Sequence, residues 1–417
     1  MRLLFLISGI LLLFATEILR VYFIMPFPGS QHANTIDLAY FIDSHRIGLR
    51  LLGAAIVASA LFSIQNPARQ HATPQAAGWG LRRKRSPWPK IALAFVAILY
   101  AIVFYFFNFR FEADKMFKQP GTKTFATAAA NTISPDRLII GIVIDQQARA
   151  YPIQLIGYHH QVRDTIGNTP VMITYCTVCR TGRVYSPFVN GRLEDFRLVG
   201  MDHFNAMFED VTTKSWWQQA TGVAIAGPLK NARLPEIPST QSTLAEWLSI
   251  HPDSKIMQPD PADSTHYASL ADYDDGTIKG SLEHRDSTSW RPKSWVIGVV
   301  AGNNSKAYDW NYLSDNPIIN DSIGAVPALI YIYPSKPVNF HVWSRTVAGQ
   351  TLSFQPAKGE LLNGDLTDTS THSIWDEGGR CIEGPLKGQQ LQPLQSYQEF
   401  WHSWSHFHPL TAQYKHG

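Results

Sequence analysis

The same short sequences occur twice, at one spacing, in the later part of the chain. Ile140-Gly141-Ile142-Val143 recurs as Ile297-Gly298-Val299-Val300, an offset of 297 − 140 = 157. At that offset Ala150-Tyr151 matches Ala307-Tyr308, Asp164 matches Asp321, Ile166-Gly167 matches Ile323-Gly324 and Pro170 matches Pro327. Gly227-Pro228-Leu229-Lys230 returns as Gly384-Pro385-Leu386-Lys387, Trp247 as Trp404, and His251-Pro252 as His408-Pro409. Asp210 and Trp217 match Asp368 and Trp375 at an offset of 158, a one-residue slip. Self-similarity at a fixed period restricts the architecture to repeated units. The expectation is two copies of one unit of roughly 120 to 130 residues, a size that suits a domain. Copy one is placed at 137–260, a linker at 261–293, and copy two at 294–417.

Each copy reads as short apolar runs broken by Gly, Pro, Asn and Asp, followed by a closing helix. Leu138 to Ile144 and Val171 to Tyr175 are expected buried strands, with a further one in Gly191 to Gly200. Ser242 to Ile250 reads as an amphipathic helix, capped by Ser242 or Thr243 and stopped at Pro252. The fold class is α+β with strands dominant, as two pseudo-symmetric copies preceded by three transmembrane helices.

Those helices are expected in three apolar runs, Leu3 to Met25, Ile47 to Ile64 and Ile91 to Phe109. Each is near the length that crosses about 30 Å of hydrocarbon. Residues 1–110 form the anchor and 111–136 a linker. Glu17 and Arg20 interrupt the first run, three residues apart, and are expected to pair on one helix face. A signal peptide is the rival reading of this run, but it is long for one, carries Glu17 and lacks a small-x-small cleavage site. Arg69, Arg82, Arg83, Lys84, Arg85 and Lys90 lie between the second and third runs. The positive-inside rule puts that cluster in the cytoplasm and all that follows Phe109 outside the cell (inner) membrane. Membrane lipid is therefore an expected partner.

With 45% hydrophobic and 17% charged residues the chain is not disordered, and a net charge of +3, local to the membrane loop, gives no case for nucleic acid. Three cysteines in 417 residues exclude a disulfide-stapled scaffold. G-x-S-x-G, H-E-x-x-H, G-x-G-x-x-G and Walker-type sequences are absent, so no nucleotide cofactor and no catalytic residue is assigned.

Chemistry concentrates in one stretch. His159-His160 precedes Cys176-Thr177-Val178-Cys179-Arg180 across an apolar run. Imidazole and thiol this close suggest metal or thiol chemistry. The repeat acts as a control. His159 and His160 fall opposite Asn316 and Pro317, and Cys176 and Cys179 fall opposite Tyr333 and Lys336. The unit can therefore be built without these groups. His402, His406 and His408 have ligand-like helical spacing, but His408 matches His251 as a helix terminator. His402 and His406 match Ala245 and Ser249, on a face expected to be wet. Cys381, opposite Ala224, reads as a buried small hydrophobe.

Leu138 to Pro152, His159…Asp164, Tyr175-Cys176-x-x-Cys179-x-Thr181-Gly182, and Ser215-x-Trp217 through Ala224-Ile225-Ala226-Gly227-Pro228-Leu229 together resemble the bacterial domain of unknown function 3179 family. The resemblance covers most of copy one, more weakly copy two, and implies a shared fold and site without an established activity. The family pattern has His-Glu, Asn-Asp and Tyr-Cys-Pro-x-Cys-Gly-Thr. His160, Arg163, Thr177 and Arg180 stand where it has Glu, Asn, Pro and Gly, and His203 stands in a segment that tends to carry Ser or Asn.

Three readings stay open. In the first, Cys176, Cys179 and His159 bind Zn or Cu, with His160 or His203 as a fourth ligand and Asp164 orienting a histidine. Adjacent histidines in an extended segment point to opposite faces, so only one ligates, and the family pattern selects His159. In the second, the cysteines exchange thiols and disulfide, and Arg180 favours a thiolate. In the third they form a structural disulfide in a binding or scaffold domain. The small-molecule or protein partner is not identified by the sequence.

Overall fold

The computed structural model describes residues 2–65, 86–333, 338–357 and 365–415. The chain is α+β, with many strands in several sheets and three apolar helices at the N-terminal end. Those helices, Arg2–Tyr22, Arg46–Gln65 and Trp88–Phe109, are each long and apolar enough to cross a membrane. Of the basic cluster that sets the expected orientation, Lys90 lies on the first turn of the third helix, whereas Arg69 and Arg82 to Arg85 lie outside the described residues, as does Lys336.

Glu17 and Arg20 do not pair with each other, which corrects the sequence expectation. Glu17 accepts both forks of Arg50 at 2.7 Å and the Asn108 amide at 2.8 Å. Arg20 donates to Glu112 at 2.7 Å and to the Phe107 carbonyl at 2.6 Å. Both side chains are buried between helices. A planar fork from a neighbouring helix satisfies a buried carboxylate better than a partner on its own helix face. Beyond the first helix the chain turns back onto the folded domain, where the Ile24 carbonyl accepts from the Met201 N–H at 2.7 Å.

The first region builds a five-stranded sheet in the order Phe125–Ala126, Lys255–Met257, Gln147–Pro152, Leu138–Ile144, Thr240–Thr243. The second region builds a four-stranded sheet in the order Ser396–Phe400, Trp295–Ala301, Asn304–Asp309, Ala412–Gln413. A helix closes each sheet, Leu244–Ile250 in the first and Trp401–Phe407 in the second. Trp247 packs on Gly141 and Trp404 on Gly298. A Cβ on either glycine would fall 2.3 or 2.2 Å from the indole, so both positions need a residue without one. Thr243 caps the first of these helices, its hydroxyl accepting the Glu246 N–H at 3.3 Å.

Inner side chains repeat as well. Asp210 accepts from Trp217 Nε1 at 2.9 Å and Thr213 Oγ1 at 2.7 Å, and Asp368 accepts from Trp375 Nε1 at 3.2 Å and Thr371 Oγ1 at 2.8 Å. Tyr151 donates to Asp164 at 2.6 Å, and Tyr308 to Asp321 at 2.9 Å. Short helices Ile153–His159 and Trp310–Asp315 follow the matching strands Gln147–Pro152 and Asn304–Asp309. His159 is therefore helical, not extended as expected. Ile153, Leu155 and Ile156, all buried, seat this turn on the sheet, and His160 ends it at φ 61°.

The two regions meet through buried polar contacts. Arg183 Nη2 donates to Glu399 Oε1 at 2.5 Å with both side chains at most 2% exposed. The Phe400 N–H donates to the Cys179 carbonyl at 3.0 Å, which lays the second closing helix across the C-x-x-C segment.

Candidate functional site

Thr169–Cys176 and Thr181–Tyr185 form an antiparallel hairpin in which Cys176 stands opposite Thr181. The C-x-x-C motif is its turn. The Cys179 N–H donates to the Cys176 carbonyl and the Arg180 N–H to the Thr177 carbonyl, both at 3.3 Å, and Arg180 closes the turn at φ 55°. Both cysteines are fully buried free thiols, and each lies 3.4 Å from the Phe204 carbonyl, close enough to donate to it.

Phe204 sits with His203 in the two-residue turn between Phe196–Asp202 and Asn205–Asp210. Both residues are left-handed, at φ 49° and 66°, where hairpins ordinarily place Asn-Gly. Such conformations cost of order 1–3 kcal/mol each and persist only where surroundings enforce them. The anchor reaches this turn, where Gln31 Oε1 accepts the Phe204 N–H at 3.1 Å.

From the other side comes His402. Its Nδ1 lies 2.9 Å from the Pro292 carbonyl and so carries the proton, which leaves the Nε2 lone pair 3.8 Å from Cys179 Sγ. Burial, with Lys293 nearby, pushes His402 down to about 3, so the ring is neutral. Lys293 Nζ donates to the Val178 carbonyl at 2.5 Å and also to Leu282. Its charge reaches both sulfurs.

The two thiols are not equivalent. Burial alone would raise Cys176. Hydrogen bonds from the Cys179 thiol and from backbone at Ala206 and Cys179, helped by Lys293, outweigh burial and hold it below the ordinary thiol range. Burial and the neighbouring Cys176 charge drive Cys179 well above that range.

The remaining sequence candidates lie apart from the sulfurs in their bonding. His159 uses both ring nitrogens, Nδ1 at 2.5 Å from the Lys118 carbonyl and Nε2 at 2.7 Å from the Tyr267 hydroxyl. His160 is buried with Nδ1 toward the Tyr158 carbonyl, and burial lowers it to about 4. Asp164 is tied to Arg149 and Tyr151, at 2.6 Å each, and not to a histidine. Arg180 reaches Gln398 and the carbonyls of Tyr273 and Asp274, which leaves Lys293 as the cation acting on the thiols. His203 bonds Asp202 at 2.7 Å and stacks on His406, with ring centres 4.0 Å apart. Among the described residues no group of three or more His, Cys, Asp or Glu is placed to hold a metal ion.

Phe204 and His402 also line a cavity of about 510 Å³, shared with Gln31, His32, His203 and Lys293. Sequence reasoning missed Lys293 and Phe204 as neighbours of the thiols and Gln31 as the partner of Phe204, and it placed His402 on a wet face. The ligand-like His402/His406 spacing was the one available signal.

The family described as "Protein of unknown function (DUF3179)" matches residues 118–411, and the chain belongs to that family. No curated protein and no solved structure gives a significant match.

Proposed function

We propose that the protein is a membrane-anchored thiol–disulfide exchange protein whose working pair is Cys176 and Cys179. The observation that carries this reading is the geometry of the pair, two buried free thiols at the ends of one hairpin turn, both 3.4 Å from the Phe204 carbonyl, with the neutral His402 Nε2 3.8 Å from Cys179 sulfur. In the exchange, Cys176 sulfur attacks one sulfur of a partner disulfide and the partner's other sulfur leaves as thiolate. Cys179 then gives up its proton to the partner thiolate just released and attacks Cys176 sulfur, which releases the partner's second sulfur as thiolate. One disulfide forms in the protein and one is reduced in the partner. Phe204 and His402 must move to admit the partner, since neither cysteine is exposed.

The setting proposed is the outer face of the inner membrane, where such a pair meets oxidised partners. The domain is proposed as two copies of one unit, at 137–260 and 294–417, joined by a linker at 261–293. The paired Gly141–Trp247 and Gly298–Trp404 contacts support this, as do the paired Asp210 and Asp368 hydrogen bonds. The dithiol belongs to the first copy.

A second reading is a Zn or Cu site on the same sulfurs. It is favoured by the tight hairpin turn that brings the two free thiols together, with His402 Nε2, 3.8 Å from Cys179 sulfur, as the donor that would have to shift to complete a set. One experiment separates the two, with metal analysis and free-thiol counting on the full-length protein in detergent, wild type and Cys176→Ser. Exchange requires a metal-free protein that loses two thiols on mild oxidation and regains them with dithiothreitol. Stoichiometric metal that disappears in Cys176→Ser overturns exchange in favour of the second reading. Two thiols that neither oxidise nor hold metal overturn both.

A further inference from the structure

The second place where the two regions meet has its own unsatisfied chemistry. Thr243 and Glu246 have the spacing of a capping box, in which the Glu side chain normally returns to the cap N–H. Here that N–H is taken by Asn339 Oδ1, at 2.7 Å, from the other region. The Glu246 carboxylate is released from the cap and turns to His341, with Oε1 2.5 Å from Nε2. Its other oxygen, Oε2, is buried and has no hydrogen-bond partner among the described residues. Glu246 itself is 3% exposed. A carboxylate oxygen so desolvated calls for a donor.

That donor has room. Glu246 lines a cavity of about 290 Å³, which adjoins one of about 480 Å³. The two share Thr240, Trp247, His251, His341, Trp343 and Pro393. Among the described residues lining either one there is no Lys, Arg or Asp, and Glu246 is the one side chain of those with a fixed charge sign. Trp247, Trp343, Phe340, Val342 and Leu394 give the cleft an apolar side, beside a polar one of Ser, Thr and Gln side chains. A buried carboxylate with one unpartnered oxygen beside a cleft with an aromatic, apolar side is suited to a cation with a short hydrocarbon body.

We propose that this cleft binds a small organic cation, with an ammonium or guanidinium N–H donating to Glu246 Oε2 and its alkyl part along Trp247 and Trp343. The site is independent of the thiol reading and stands if that reading fails. Its test uses full-length protein in detergent, with tryptophan fluorescence and saturation-transfer NMR as readouts. The probes are n-butylammonium and n-butylguanidinium, with neutral 1-pentanol of similar size as the comparison. Saturable binding of either cation in the millimolar range or tighter is expected, with none for 1-pentanol. Glu246→Gln keeps the shape and should weaken cation binding at least tenfold. Equal binding of 1-pentanol, no saturable cation binding, or unchanged affinity in Glu246→Gln overturns the proposal. The wild-type comparison of cation with alcohol decides the matter even if Glu246→Gln fails to fold.

Discussion

The first and second regions use the same contacts to hold themselves and different side chains where they touch. On one side the second closing helix lies on the thiol hairpin, with the Phe400 N–H on the Cys179 carbonyl and Ser403 Oγ 3.2 Å from Thr181 Oγ1. On the other, the first closing helix lies on the segment around Asn339, with the Thr243 N–H on Asn339 and Glu246 on His341. Residues 243 and 246 are 400 − 157 and 403 − 157, so the two contacts occupy matching positions. One carries thiols and imidazole, the other imidazole and carboxylate. A helix laid on a hairpin is what the architecture needs from both places, while the functional groups at each are free to differ.

The largest effect expected is on the joint itself. Glu399→Gln removes the nearer of the two counter-charges of Arg183 and leaves only Glu236, at 3.7 Å, and removing one partner of a buried pair costs about 3–5 kcal/mol. Chemical denaturation should show that loss in the whole soluble portion at once. Two separated transitions, with only one shifted, would mean that the regions fold independently and that the joint is incidental. A smaller effect tests the shared scaffold. Gly141→Ala and Gly298→Ala each press a methyl into an indole, at a cost of about 1–3 kcal/mol for overpacking. Matched losses in both variants support a common unit, and a loss confined to one denies it.

Much of the scaffold was legible because it is local. Leu138–Ile144 is found as expected, and the Ser242 to Ile250 helix begins two residues later, at Leu244, behind its Thr243 cap. The Ile153–His159 turn was not legible, since Pro152 offers no side-chain cap. Its counterpart does show one, with Asp309 accepting the Tyr312 N–H at 2.9 Å. The dithiol could be read from C-x-x-C alone, but its neighbours could not. His402 lies 223 residues from Cys179, and Lys293 sits at the end of a segment read as linker. Only the packing of one region on the other brings them together, and no local pattern encodes that. Glu17 and Arg20 were misread for the same reason, because Arg50 and Asn108 belong to other helices.

The smallest effect concerns the cysteines, one kind in each region. Cys176 is held below the ordinary thiol range despite burial, whereas burial raises Cys381 in the second region. A thiol reacts as its thiolate, so modification by methyl methanethiosulfonate, located by mass spectrometry, should rise with pH at a lower midpoint for Cys176 than for Cys381. Lys293→Met removes a charge that favours the Cys176 thiolate. The Cys176 midpoint should then move to higher pH and its rate near pH 7 fall a few-fold, with Cys381 unchanged. Lys293 is only one of several groups acting on Cys176, behind the hydrogen bonds from Cys179 and Ala206, and so the shift is modest. If the Cys176 midpoint stays in place while Cys381 moves, the asymmetry between the regions does not arise from the charge that the joint delivers to the thiols.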